Sequence, residues 1–360
     1  MEKRKFLKLA SAAGVGLVLA PELLVSCSLD SKNSKKKYWV WTNVDKDATD
    51  DELHAKFSAL KSHGITGLLL GGDDERNYTI ARELGLETHI WWWTMNRRDQ
   101  EIMENHSDWY AINRLGNSCH DNPPYVDYYR WLCPSKIEVQ EYLRSQVIEL
   151  AKKPYIDGVH LDYVRYCDVI LPEALWEKYG LVQDHEMPEY DYCYCDTCRD
   201  KFKEKGGQDP LEMVDPPSDQ DWLNYRYDSI TNVVNLLADA VHGAGKKISA
   251  AVFPTPAIAK KLVRQDWVRW NLDMIFPMVY QGFYNESVEW IGKAVEQGVN
   301  ALDGKVPLYT GLYMPDLSNP KDLSNAVAFS NMNGAEGASL FASVSDAHWI
   351  KFEKVIALQK

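Results

Sequence analysis

Between residues 38 and 358 the sequence changes period eight times, each time from a short apolar or alternating run to a longer amphipathic one. The strand-like runs are 38–44, 65–70, 86–93, 155–166, 247–253, 272–280, 306–313 and 338–344. Helix-like runs follow them at 50–63, 77–84, 135–152, 222–242, 258–270, 287–297, 323–332 and 347–358. Glycines punctuate the ends, as at Gly64, Gly85, Gly243, Gly298 and Gly334, where a chain leaving a helix needs a residue tolerant of left-handed backbone. Strand followed by helix is the unit of a parallel sheet. Eight such units define an α/β fold of one particular kind, a (β/α)8 TIM barrel spanning 38–360. An open doubly wound sheet fits less well, because the first strand–helix turn has no Gly-rich phosphate loop.

Two connections break the rhythm, from about 95 to 134 after strand three and from about 167 to 221 after strand four. Both leave the C-terminal ends of strands, the face on which barrels build their sites, and loops of this length in a compact domain are usually functional. They carry Trp109, Tyr110, Tyr125, Tyr128, Tyr129 and Trp131 in one, and Tyr190, Tyr192 and Tyr194 in the other.

Strand four, Gly158-Val159-His160-Leu161-Asp162-Tyr163-Val164-Arg165, starts apolar and turns polar in alternation. Side chains alternate along a strand, so His160 and Asp162 share one face and Val159 and Leu161 the other. A strand covered by helices is expected to be apolar on both faces. An imidazole and a carboxylate pointing inward cost stability unless they satisfy each other or line a polar site. Strand three places His89, Trp91 and Trp93 on one face, and strand six ends near Tyr280. Flat aromatic rings at a barrel mouth suit the C–H-rich faces of sugars. Asp157 and Asp273 precede their strands, on the opposite, stability face, and are read as caps or loop ligands rather than catalysts.

The formal charge of −12 argues against nucleic acid or bare anionic lipid as a partner, since both need basic patches. Nicotinamide and flavin chemistry lack a recognisable phosphate cradle. A metal-dependent amidohydrolase would need His-x-His where strand one has Trp41-Thr42-Asn43. At the N-terminus, a basic stretch (Lys3-Arg4-Lys5), an apolar run over 9–20 and the ending Leu24-Val25-Ser26-Cys27 describe a cleaved export signal over 1–27. The ending resembles a bacterial lipobox, with Cys27 as the lipidated residue. The start resembles a twin-arginine signal with Lys in the first arginine position. Residues 28–37 are polar and suit a flexible tether. The expectation is an exported, membrane-anchored lipoprotein of the periplasm or cell surface.

Asp157-Gly158-Val159-His160-Leu161-Asp162-Tyr163-Val164-Arg165-Tyr166 resembles the strand-four signature of the family 10-like glycosyl hydrolases. Glu87-Thr88-His89-Ile90-Trp91 is similar to their strand three, and Asp273-Met274-Ile275-Phe276-Pro277-Met278-Val279-Tyr280 to their strand six. The chain departs from the pattern at Trp93, where Asn is expected, and at strand two, which lacks an Arg. The resemblance implies a glycoside hydrolase acting on a complex polysaccharide or oligosaccharide. Such chemistry needs two carboxyl groups flanking the scissile bond and no cofactor. Asp162 is the expected nucleophile or charge stabiliser, held ionised by His160 and Arg165. Asp74 and Glu286 lead as the partner acid, with Asp73 and Asp316 behind. His89, Trp91, Trp93, His160, Arg165 and Tyr280 are the expected substrate contacts. The alternative is a barrel that binds glycan without cleaving it, favoured if no second carboxylate stands within reach of Asp162.

Apart from Cys27, the cysteines are Cys119, Cys133, Cys167, Cys193, Cys195 and Cys198, all in the two long loops. Six loop cysteines permit three disulfides. The Cys193-x-Cys195-x-x-Cys198 spacing, with Cys167 or His185 as a fourth ligand, equally suits a structural zinc. Tyr192 to Phe202, which contains it, also resembles a cysteine-bearing insert of related glycosyl hydrolases.

Overall fold

A computed structural model describes residues 35–358. Within them, eight parallel strands run in the order β6-β5-β4-β3-β2-β1-β8-β7. They are β1 (Lys37–Asn43), β2 (Gly67–Gly71), β3 (Glu87–Trp93), β4 (Gly158–Asp162), β5 (Lys247–Val252), β6 (Met274–Pro277), β7 (Thr310–Tyr313) and β8 (Gly337–Phe341). Single parallel bridges, Ile275 to Leu308 and Met278 to Gly311, join the two ends, so the sheet is a nearly closed (β/α)8 barrel. The barrel begins one residue before the expected boundary. The expected signal over 1–27 and the expected lipidation site Cys27 lie outside the described residues. Among the described residues, no helix is long and apolar enough to cross a membrane.

The strand period sorts the core into two parts. Val159 and Leu161 of β4, like Leu68 and Leu70 of β2, face the helices and join the outer core. Trp39, Trp41, Leu69, Ala251, Met274, Phe276 and Tyr309 fill the lumen as a separate cluster. A helix follows each strand, and several carry the caps that their sequences announce. Thr49 and Glu52 form a reciprocal capping box on Asp50–Ser62, and Thr255 caps Pro256–Val263. On the stability face, Asp157 accepts the Thr88 backbone N–H at 2.9 Å and Asp273 that of Ile248 at 2.8 Å, as expected of loop ligands. Gly158 is glycine for a local reason: a Cβ there would stand 2.7 Å from the His89 ring and 2.6 Å from the Lys247 carbonyl oxygen.

Strands six and seven are shorter than the sequence period implies. Pro277 has no N–H to extend the ladder, and the chain turns at Gln281–Tyr284 immediately after Tyr280. The two long loops form a lobe above the barrel. Tyr110 bridges to Leu132 within the first loop, and Asn113 bridges to Tyr192 between the two. The Tyr194 N–H donates to the Ile112 carbonyl at 2.7 Å, and the Arg114 N–H to that of Asp191 at 3.1 Å. Beneath this seam the fully buried Asp191 is ion-paired with Arg226.

Candidate active site

At the C-terminal end of the barrel lies a cavity of about 270 Å³, walled by side chains from β1, β3, β4, β5, β7 and β8 and from both long loops. Asp162 stands in it at the last position of β4, only 9% exposed. Its Oδ2 accepts a hydrogen bond from the Trp91 indole Nε1 at 2.9 Å, and its Oδ1 one from the Tyr163 backbone N–H at 2.7 Å. Burial pushes the Asp162 carboxyl above the usual carboxylate range, and these two donors and the nearby Arg165 oppose the shift without cancelling it. Tyr163, the next residue, takes φ +50°, a left-handed conformation costing about 1–3 kcal/mol in a non-glycine residue, and the surrounding fold holds it there.

The second carboxylate in the cavity is Asp168, 3% exposed, from the loop after β4. The Arg165 guanidinium binds it through Nη1 at 2.9 Å and donates also to the Tyr166 carbonyl at 3.0 Å. Arg165 itself is sandwiched over Trp131, with its guanidinium 4.6 Å from the ring centre, and over Phe253 at 5.1 Å. The sequence signal for Asp168 is its place three residues after Arg165 in a mouth loop, beyond the strand end itself.

The expected partner acids lie elsewhere. Asp74 caps the helix Glu75–Glu83, accepting from the Asn77 backbone N–H at 3.0 Å and its side-chain amide at 2.8 Å; the Asn77 amide holds its carboxyl below the usual range. Glu286 is exposed to solvent and does not line the cavity. Asp73 is bound by Lys153 at 2.8 Å and by the Tyr155 hydroxyl at 2.8 Å. Asp316 is half-buried off the cavity, accepting the Gly282 N–H at 3.1 Å, and burial raises its carboxyl.

Of the expected substrate contacts, Trp91, Trp93, Arg165 and Tyr280 line the cavity and His89 and His160 do not. Trp93 is the most open, at 37% exposure. Tyr280 stacks on Phe341 at 6.1 Å between ring centres, and Tyr313 leans on both. His160 points into the lumen below the floor. Its Nε2 pairs with the Trp41 indole at 3.0 Å and its Nδ1 with the Ser249 hydroxyl at 2.9 Å. His89 lies deeper, with Nδ1 on the same hydroxyl at 3.2 Å and Nε2 on Glu87 at 3.3 Å. Burial, and then His89, hold His160 well below its ordinary range, so it is a neutral part of a lumen chain and not the ion that steadies Asp162. Arg165 hydrogen-bonds Asp168 and acts on Asp162 only as a nearby charge. Trp41, which the sequence did not single out, forms part of the floor and ties it to that chain.

The cysteines also regroup. Cys133, Cys193, Cys195 and Cys198 bring their sulfurs within 4.8 Å of one another, all buried. Cys133, not Cys167 or His185, is the fourth member. Cys167 has its Sγ 3.9 Å from the Asp168 carbonyl, and His185 is an exposed partner of Asp184.

The barrel is similar to solved structures that include a glycoside hydrolase domain, a β-amylase and a mannanase. The PgaB (BpsB) glycoside hydrolase domain from Bordetella bronchiseptica matches with 12% identity over 90% of this chain and 98% of its own, at a TM-score of 0.65. The catalytic domain of β-amylase from Paenibacillus polymyxa matches with 14% identity over 91% and 99%, at 0.59. The endo-β-1,4-mannanase from Thermotoga petrophila matches with 11% identity over 90% and 77%, at 0.53. At such identities the likeness is one of fold. No curated protein is a significant match to the sequence. The family model for glycosyl hydrolase-like 10, however, matches residues 78–328, from the helix after β2 through most of the helix after β7, and the chain belongs to that family.

Proposed function

We propose that the protein is a glycoside hydrolase that cleaves glycosidic bonds in a complex polysaccharide or oligosaccharide. The observation that carries this reading is Asp162: a carboxyl with a raised proton affinity, fixed by Trp91 and the Tyr163 N–H, at the floor of an aromatic-walled cavity on the catalytic face of a barrel. A group of that kind suits proton donation to a leaving oxygen better than the nucleophilic role expected from the sequence. In this mechanism Asp162 gives its proton to the glycosidic oxygen as the bond to the anomeric carbon breaks. Asp168, ion-paired with Arg165, is the second carboxylate facing the positive charge that develops on the ring. Water adds to the anomeric carbon, and its proton restores the acid. Trp91, Trp93, Tyr280, Tyr313 and Phe341 offer flat faces to the sugar rings.

The commitment of Asp168 to Arg165 favours one other reading, a barrel that holds glycan without cleaving it. Incubating the full chain with a panel of plant and host polysaccharides, while measuring both retention and release of reducing ends, separates the two. The hydrolase reading expects new reducing ends from at least one glycan. A glycan that is bound and never shortened would establish the binding reading.

A further inference from the structure

We propose that Cys133, Cys193, Cys195 and Cys198 bind a structural Zn²⁺ that rivets the loop after β3 to the loop after β4. The geometry carries it. Four sulfurs at a Zn–S distance of about 2.3 Å from a common centre lie about 3.8 Å apart in a regular tetrahedron. Here Cys133 Sγ is 3.6 Å from Cys195 Sγ and 3.5 Å from Cys198 Sγ, and all four sulfurs fall within 4.8 Å of one another. A disulfide needs two sulfurs at about 2.05 Å and a partner chosen from one neighbour, whereas these four converge on one point.

The surroundings fit a tetrathiolate. Cys195 is the N-cap of the helix Asp196–Glu204 and Cys198 lies in its first turn, where the helix dipole favours negative charge. The Ile112 backbone N–H donates to Cys193 Sγ at 3.4 Å, the kind of outer contact that orients a metal-bound thiolate. Lys201 donates to the Ser135 carbonyl at 2.6 Å and Lys136 to the Thr197 hydroxyl at 3.4 Å, tying the segment after Cys133 to the helix that carries Cys198. All four ligands come from protein, so the site is closed and holds structure rather than performing chemistry. An all-sulfur tetrahedral set also excludes the hard cations that prefer oxygen.

The position gives the metal a purpose. Cys133 ends the first long loop just before the helix Ile137–Ala151, and the other three cysteines belong to the second loop. The first loop sends Tyr125 and Tyr129 into the cavity wall, the second sends Asp168 and Tyr179. In the second loop the Arg165 guanidinium also donates to the Tyr166 carbonyl at 3.0 Å, just before Cys167 and Asp168. A metal at that point fixes the lobe that shapes the cavity, whichever reading of the cavity holds.

The test is metal content of the full chain after incubation with Zn²⁺ and removal of free ion. The expected result is about one zinc per chain, with Cys119, Cys133, Cys167, Cys193, Cys195 and Cys198 all titrating as thiols in denaturant once chelator is present. Cys133→Ser is expected to lose at least tenfold in zinc affinity against a chromophoric chelator, while Cys119→Ser and Cys167→Ser bind as the parent does. Should Cys133→Ser fail to fold, the wild-type metal and thiol counts still decide. Less than a tenth of an equivalent of zinc, iron in its place, a shortfall of four thiols, or loss of zinc from Cys167→Ser but not Cys133→Ser would overturn the proposal.

Discussion

Trp91 acts on Asp162 through a single N–H. That bond favours the carboxylate, while burial favours the acid and prevails. Removing the donor while keeping an aromatic ring isolates its effect. Trp91→Phe raises the proton affinity of Asp162 further, so the limb on which activity falls with rising pH moves to higher pH. Because a general acid is active in its protonated form, the sign of that shift distinguishes the proposed role from the nucleophilic one, for which the rising limb at acid pH would move instead. The pH dependence of kcat/KM for the variant and its parent reads the difference directly. An unshifted profile would mean that Trp91 serves the cavity only as a wall.

At the scale of the element, β3, β4 and β5 meet in the lumen through one hydroxyl. Ser249 of β5 faces the Nδ1 atoms of both His160 and His89, and the chain continues to Glu87 at one end and to Trp41 at the other. Ser249→Ala strands two buried imidazole nitrogens and is expected to lower folding stability by about 1–3 kcal/mol, read as a fall in the denaturant midpoint. A variant as stable as the parent would show that the chain carries no weight. His160 also makes stability depend on pH. Its folded-state affinity for protons is depressed, so its contribution is complete above the unfolded value of about 6.5 and is lost as pH falls below that.

These strands also show what the sequence could and could not reveal. The two-residue period of β3 and β4 placed Trp91, Trp93 and Asp162 on the inner face, because a strand between helices and lumen has only two directions to offer. Depth along that face was not legible. His160 precedes Asp162 by two residues and falls below the floor, where Ser249 and Trp41 claim it. Asp74 looked like an acid at a strand end, yet its spacing to Asn77 is that of a helix cap. Asp168, and the place of Cys133 as the fourth sulfur of the cluster, are not legible because loop residues have no period. Asp168 is drawn to Arg165 after the turn at Tyr163, and Cys133 reaches its partners across some 60 residues of chain.

For the whole molecule, the barrel supplies a rigid ring of strand ends and the long loops supply the walls, so the cavity depends on both. For the proposed substrate, a neutral glycan, the acidic balance of the chain, −12, would leave attraction to shape and stacking rather than to long-range charge. In the proposed mechanism catalysis rests on one proton held at the floor. The measurement that meets this claim most directly is the turnover of Asp162→Asn on whichever polysaccharide the parent cleaves, made alongside its binding to the same glycan. The account predicts a loss of about 10²–10⁴-fold in kcat with binding preserved and a thermal midpoint at neutral pH no lower than the parent's. Turnover at the parental rate by a folded Asp162→Asn protein would contradict it.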